Sequence, residues 1–348
     1  MDLISFLMEA IQAGASDLHI SRDVPPTIRL DGNLQFLEYP PLSSEQCQKL
    51  IYKVLNDEQR ARFELEWELD FSLEIERLGR FRANIHRQRG TVEGAFRIVH
   101  ENIRSIPQLG LPPIVSEMAT KDNGLLIITG PTGSGKTTTM AAMIDQINRE
   151  RRCVVVMIED PIEYVHRPKG CIVKQREVYL DTKSFPLALR HVLRQDPDVI
   201  AIGEMRDLET IQTALTAAET GHLVMATLHT PDAVQTIDRI IDVFPPHQQQ
   251  QVRIQLANTL QGIIAQQLLP VAGSRGRVVG VEILLATIAA RKIIRSAKTE
   301  QLVTLIQTGY DQGMVTMDKS LKDLYLKGLI TYDAAISKCR YPEAFDKI

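Results

Sequence analysis

Residues 130 to 137 read GPTGSGKT and match the pattern GxxxxGK[ST] at every fixed position. Each residue type there has a physical reason. Gly130, Gly133 and Gly135 let backbone N–H groups turn inward around phosphate oxygens. A helix beginning near Lys136 adds the positive end of its dipole. The Lys136 ammonium is expected to reach the β- and γ-phosphates of ATP, and the Thr137 hydroxyl to ligate Mg2+. Pro131, Thr132, Ser134 and Thr138 complete the stretch expected to bind nucleotide.

Two acidic clusters follow apolar runs. Glu159, Asp160 and Glu163 come after Val154–Met157, with Pro161 stopping the strand. Glu204, with Asp207 three residues on, comes after Val199–Ile202. Ligands of open α/β sheets bind at the C-terminal ends of strands, where a carboxylate can hold magnesium through water or polarise an attacking water. A single carboxylate is more simply a solvated strand end. Two clusters in step with a phosphate loop favour function. The second cluster departs from the common arrangement in which the apolar strand ends in aspartate, since Gly203 stands before Glu204.

His222 and His229 bracket GHLVMATLHT, on opposite faces if the run is a strand. They read equally as packed histidines or as residues that sense the γ-phosphate or couple neighbouring strands. Arg77, Arg80, Arg82, Arg87, Arg89 and Arg97 crowd the first hundred residues. A solvated face explains most of them; the alternative is that some act as arginine fingers on a transferring phosphoryl group.

Elements must position these residues. A helix is expected over Asp2–Ala13, strands at Pro26–Leu30, Asp70–Leu73, Gly79–Ile85 and Gly94–Val99, and a helix over Ser44–Phe63, together a small α+β domain spanning 1–100. The proline-rich Ile103–Val115 reads as a linker, within 101–119. From 120 the pattern alternates: Leu125–Thr129, Val154–Ile158, Val199–Ile202 and Leu223–Thr227 are short apolar runs separated by helical stretches, which suits a parallel sheet buried on both faces. A turn at Ala272–Gly276 reads as a hairpin, and the chain is helical from about Ile288. In that tail Arg291, Arg295 and Lys298 would form one basic stripe on a helix, with Ala289, Ile293 and Ala297 on the opposite side.

Composition narrows the classes. The 348 residues suit two domains, and 44% apolar with 24% charged is ordinary for a globular protein. A net charge of -3 and 5% aromatic content argue against a nucleic-acid partner, which wants basic grooves and stacking rings. The four cysteines form no CxxC pair, so neither a zinc site nor disulfides are expected. No segment has the roughly 20 apolar residues that span a bilayer, and the N-terminus lacks a basic region. The expectation is a cytoplasmic protein that could dock on a membrane partner.

Taken together, ASDLHIS (15–21), GPTGSGKTTT (130–139), IEDPIE (158–163), DPDVIAIGEMRD (196–207), GHLVMATLHT (221–230) and TIDRIIDVFP (236–245) resemble the secretion-type traffic ATPases, and among them the retraction ATPases of type IV pili. The resemblance covers nearly the whole chain. It implies an α/β fold in which a RecA-like P-loop domain (120–348) follows a smaller PAS-like N-terminal domain. It also implies a hexameric ring that works on the pilus machinery through an inner-membrane platform protein, at the inner face of the cytoplasmic membrane. By position, Glu163 corresponds to the family's catalytic glutamate, Glu204 to the glutamate of its Walker B strand, and His222 and His229 to its histidine box. Arg82 and Arg97 correspond to its arginine fingers, and Arg239 to a polar residue near the site. Extension and secretion members carry extra N-terminal domains and usually a four-cysteine insert. The lack of both here, and the tail IQTGYDQGMVTMDKSL (306–321), favour the retraction type. The family's retraction motif appears as AARKIIRS, Ala289 to Ser296, with Lys292 for asparagine and Ser296 for an acid, which leaves main and accessory motors both open.

Overall fold

The computed structural model describes every residue except 1, 31, 77, 100, 101, 275 and 348, and leaves the side chains of 344, 346 and 347 undescribed. Arg77, the expected domain end at 100, the linker start at 101 and residue 275 of the expected turn therefore lie outside the described residues. The rest forms two compact units: Met1–Asn102 with Glu163–Val165, and Ile103–Ile162 with His166–Ile348.

The first unit opens with α1 (Leu3–Gln12), then β1 (Asp17–Ile20), β2 (Thr27–Leu30) and β3 (Asn33–Phe36). Next come α2 (Ser44–Tyr52), α3 (Asp57–Glu66), β4 (Glu68–Ile75), β5 (Gly79–Gln88) and β6 (Thr91–Ile98). The strands make one sheet ordered β3-β2-β1-β6-β5-β4, antiparallel throughout. One face carries Leu18, Ile20, Ile28, Phe81, Ala83, Ile85 and Phe96, which pack with Leu3, Phe6 and Leu7 of α1, Leu50 of α2 and Phe63 of α3. The period of two places charged residues on the other face.

One helix was expected over Ser44–Phe63, and the structure has two. Asn56 interrupts it: its side chain accepts from the Gln59 N–H at 2.8 Å, and the Gln59 side chain accepts from the Asn56 N–H at 3.0 Å. This reciprocal capping box satisfies two backbone donors and starts a new helix. The strands β1 and β3 were not expected either. Both are four residues long, too short for alternation to stand out.

The second unit begins with α4 (Pro113–Ala119), β7 (Gly124–Thr129), α5 (Lys136–Glu150), β8 (Val154–Glu159), β9 (Ile172–Glu177), α6 (Phe185–Val192) and β10 (Val199–Ile202). It continues with α7 (Leu208–Glu219), β11 (Leu223–Leu228), α8 (Ala233–Asp242), α9 (Pro246–Thr259), β12 (Leu260–Pro270) and β13 (Arg277–Leu285). It closes with α10 (Ile288–Arg295), α11 (Leu302–Thr308), α12 (Met317–Leu326) and α13 (Tyr332–Ile336). Its seven-stranded sheet runs β13-β12-β7-β11-β10-β8-β9, parallel except for the β12–β13 hairpin. Every residue of β7, β10 and β11 is buried, as a sheet covered by helices on both faces requires. This is the α/β architecture with a helical C-terminal region that the resemblance implied.

The stretch expected as a linker is part of this core instead. Ile106, Leu111, Val115 and Met118 are buried in one cluster with Leu126 and Ile128 of β7 and Met143 of α5. Its prolines start a helix, Pro113 standing at the first turn of α4, where a missing N–H costs nothing. The strand β9 was also unforeseen, because an edge strand reading IVKQRE needs only one apolar face.

The basic stripe expected of the tail does not form. The helix α10 ends at Arg295, and Ala297 takes φ 57°. Its buried residues are Ala290 and Ile294, rather than Ala289 and Ala297. Arg291 is committed to structure: its Nη1 donates to the Ala257 and Asn258 carbonyls, both at 2.6 Å, and its Nε to the Ala286 carbonyl at 2.9 Å. A cation against the last carbonyls of α9 offsets that helix's negative end.

Replacing Asn56 by alanine removes both halves of the capping box and is expected to cost about 1 kcal/mol. Amide hydrogen exchange in α3 should accelerate about fivefold, while exchange in β7 stays unchanged.

Candidate functional site

All strands from β12 to β9 run the same way, so their C-terminal ends share one edge. The pairs Thr129–Leu228, Ile202–Ala226 and Ile202–Ile158 fix that alignment. The residues at or just beyond these ends are Gly130, Glu159, Gly203–Glu204 and His229, and they form the site.

The phosphate loop occupies Gly130–Gly135 between β7 and α5. Gly130 has φ 139°, and a β-carbon there would overlap the Gln266 carbonyl oxygen of the neighbouring β12. Gly135 caps α5 at φ 91°, in the left-handed region that glycine enters without strain. Pro131, Thr132 and Gly133 are exposed, whereas Ser134 is buried and its Oγ has no hydrogen-bond partner. Thr137 and Thr138 are half-buried in the first turn of α5. In the same turn, Thr139 Oγ1 accepts from Gln266 Nε2 at 2.8 Å, tying the helix start to β12.

Lys136 is 8% exposed, and a buried ammonium must be paired. Its Nζ donates to the Gly130 carbonyl at 2.8 Å and the Pro131 carbonyl at 3.0 Å, and stands 3.4 Å from His229 Nδ1. On the far side of the same ring, His229 Nε2 lies 3.1 Å from Glu204 Oε1. An ammonium can only donate, so Nδ1 accepts and Nε2 carries the proton toward Glu204. Arg206 Nη2 stands 2.7 Å from Glu204 Oε2. Burial pushes the Glu204 carboxyl up, but the Arg206 hydrogen bond and the His229 ring outweigh it and hold the group below its usual value. Lys136, His229, Glu204 and Arg206 thus make one continuous polar chain from the phosphate loop across to β10.

The other expected residues lie as follows. Glu159 is buried and accepts from Gln175 Nε2 at 2.9 Å. Glu163 is exposed, on an arm held at Ile162, whose N–H donates to Glu177, and at His166, whose N–H donates to Gln175. Asp207 is the N-cap of α7, its carboxylate accepting from the Thr210 N–H and hydroxyl, so it anchors a helix. Arg239 is exposed on α8 and makes none of the described contacts to the loop.

His222 does not belong with His229. It precedes β11, its carbonyl accepts from the N–H of Gly124 at the opening of β7, and its Nδ1 lies 2.9 Å from the Ala217 carbonyl. Six residues of strand separate it from the C-terminal edge, about 20 Å at strand rise. Within this unit the structure brings His229, and not His222, beside the phosphate loop.

In the first unit, Arg82 and Arg97 face each other across β5 and β6, and Asp17 of β1 pairs with Arg97. Arg97 Nε donates to Asp17 Oδ1 at 2.9 Å. Burial raises the Asp17 carboxyl, but Ser16 and Arg97 overcome it and hold it below its usual value.

Some residues that shape the site were not singled out in the sequence. Thr230 bonds the Thr129 hydroxyl at 2.8 Å and the Thr236 hydroxyl at 2.6 Å, locking the loop after β11 to the end of β7. Asn148 in α5 accepts from the Lys169 and Cys171 N–H groups and donates to the Arg167 carbonyl, fixing the return of the Glu163 arm. Only the sheet order brings these partners together.

Gly130→Ala should destabilise the protein by about 3 kcal/mol, because it combines a strained φ with overlap against backbone. A fall in the thermal midpoint, with nucleotide binding lost in parallel, is the expected result.

Similarities to known proteins accompany this geometry. Residues 2–301 match the family model described as Type II/IV secretion system protein. A Pseudomonas aeruginosa protein described as the type IV pilus retractation ATPase PilT is 47% identical over 345 residues, 99% of this chain and 100% of that protein. A Neisseria gonorrhoeae protein described as a twitching motility protein is 44% identical over 92% of this chain and 85% of its own length. The crystal structure of the pilus retraction motor PilT with bound ADP superposes with a TM-score of 0.94 at 47% identity, covering 100% of both chains. With its phosphate loop at the edge of this sheet and a family match over most of its length, the chain belongs to the Type II/IV secretion system protein family.

Proposed function

We propose that the chain is an ATP-hydrolysing motor that powers retraction of a type IV pilus. One observation carries the chemistry: the hydrogen-bonded chain from Lys136 through His229 to Glu204, beside a loop that tolerates no side chain at Gly130. The pilus assignment rests on the likeness to the retraction ATPase over the full length.

The residues support the following division of work. The loop's N–H groups and the start of α5 receive the phosphates. The Lys136 ammonium, held by its own loop carbonyls, exchanges these acceptors for β- and γ-phosphate oxygens, where charge builds in the transition state. The unpartnered Ser134 Oγ and the Thr137 hydroxyl fit a Mg2+–nucleotide, with Thr137 as ligand; the ion, when bound, neutralises charge on the phosphates. Glu163 takes the proton of the attacking water. Glu204, kept ionised, holds His229 against the γ-phosphate end of the loop and so reports whether that phosphate is present. Arg82 and Arg97 act as fingers in a hexameric ring, and Arg239 supports the site. The ring works at the cytoplasmic face of the inner membrane, on a platform protein of the pilus machinery. No helix is long and apolar enough among the described residues to cross the membrane. An accessory retraction motor is the alternative that the altered AARKIIRS segment keeps open.

The test pairs nucleotide binding with phosphate release. Lys136→Ala should abolish turnover. Glu163→Gln should bind nucleotide as the wild type does and lose about a hundredfold or more in hydrolysis. Equal loss of binding and hydrolysis in Glu163→Gln would make Glu163 structural.

The finger assignment has its own measurement. Arg82→Ala and Arg97→Ala should each cut turnover about a thousandfold, while electron microscopy still shows rings. Full activity in both variants, or a fully active monomer, contradicts it.

A further inference from the structure

The N-terminal ends of β8 and β9, at the sheet edge opposite the phosphate loop, bring two thiols into contact. The parallel register pairs Val154 with Ile172, so Cys153 and Cys171 flank the same rung. The Ile172 N–H donates to the Cys153 carbonyl at 3.0 Å. Paired strands run about 4.8 Å apart, within the span of about 4.4–6.8 Å between Cα atoms that a disulfide bridges. The two Sγ atoms already stand 3.3 Å apart. Cys171 is buried, its thiol donating toward the Arg151 carbonyl at 3.3 Å and the Ile147 carbonyl at 3.5 Å, while Cys153 is partly exposed. The remaining cysteines are elsewhere: Cys47 is buried in the core of the first unit, and Cys339 packs in the C-terminal cluster with Leu321 and Ile330. None of the four takes part in the phosphate site.

We propose that Cys153 and Cys171 are an oxidative modification site at which a hydroperoxide forms a reversible intramolecular disulfide. Cys153, the accessible thiol, reacts first. Its thiolate attacks one peroxide oxygen, the O–O bond breaks, and the sulfur becomes a sulfenic acid as hydroxide leaves and takes up a proton. The Cys171 sulfur then attacks the Cys153 sulfur, the S–O bond breaks, and the departing hydroxide leaves as water with the Cys171 proton. Two thiols and one hydrogen peroxide give one disulfide and two waters, a two-electron oxidation. Burial and the hydrogen bond with Cys171 push the Cys153 thiol up, so its thiolate is scarce at neutral pH and the first step is slow. Proximity of the second thiol makes the ring closure fast by comparison. The bond staples the two ends of the arm that runs from β8 through Glu163 to β9. By closing that loop in the unfolded chain as well, it stabilises the native state.

The experiment treats the full chain with hydrogen peroxide under native conditions, blocks the remaining thiols, digests without reduction and identifies linked peptides by mass spectrometry. The expected result is one pair joining the Cys153 and Cys171 peptides with loss of two hydrogens. Titratable thiols fall from four to two. The thermal midpoint rises by a few degrees, and dithiothreitol reverses all three changes. Cys153→Ser, at the partly exposed position, should keep its fold and its remaining thiols and form no linked peptide. Four titratable thiols after treatment, over-oxidation of Cys153 with no linked pair, or a link to Cys47 or Cys339 would each overturn the proposal.

Discussion

Backbone hydrogen bonding in a sheet covered on both faces is the constraint on which the site depends. Every N–H and C=O of β7, β10 and β11 is shut away from water and must find a partner in the neighbouring strand. Parallel pairing satisfies them and brings the strand ends to one edge, where the chain must turn and polar groups are again permitted. Gly130, Glu159, Glu204 and His229 are each at or just past the end of a different strand. None is near another in sequence, and the ladder makes them neighbours.

At that edge the charges constrain one another. Lys136 is buried, so its ammonium needs acceptors, and two come from its own loop. The third contact, the His229 ring, passes the demand on to Glu204, which Arg206 balances in turn. A chain of this kind is costly when only partly satisfied, so its members hold each other's orientations. The surrounding hydroxyls do similar work without charge: Thr129, Thr230 and Thr236 bind one loop to the next.

The C-terminal region supports the same sheet. Arg291 closes the end of α9, which runs directly into β12, and β12 presents Gln266 to both the glycine loop and Thr139. Asp318 of α12 accepts from the N–H groups of Arg340 and Tyr341. Arg340 in turn stands 3.6 Å from Asp232, the N-cap of α8. Basic and acidic residues that look like solvated surface in the sequence are, here, the fastenings of helix ends.

The sequence by itself determined what is local. The spacing of GPTGSGKT is a short-range requirement of phosphate binding, so its place between an apolar strand and a helix was legible, as were the four apolar runs of the parallel sheet. Helix and strand boundaries set by side-chain capping were less so: Asn56 splits a helix through a reciprocal bond whose signature spans only four residues. What only the tertiary structure decided is which distant residues meet. His222 and His229 are equivalent by type and motif, and the direction of β11 alone separates one that packs from one that reaches Lys136. Asp207 and Glu204 lie three residues apart, yet one caps a helix and the other faces the loop. Arg291 belongs to a basic stripe by spacing, yet the carbonyls at the end of α9 hold it. The order β12-β7-β11-β10-β8 is written in long-range backbone pairing, which sequence periodicity, a property of single elements, does not encode.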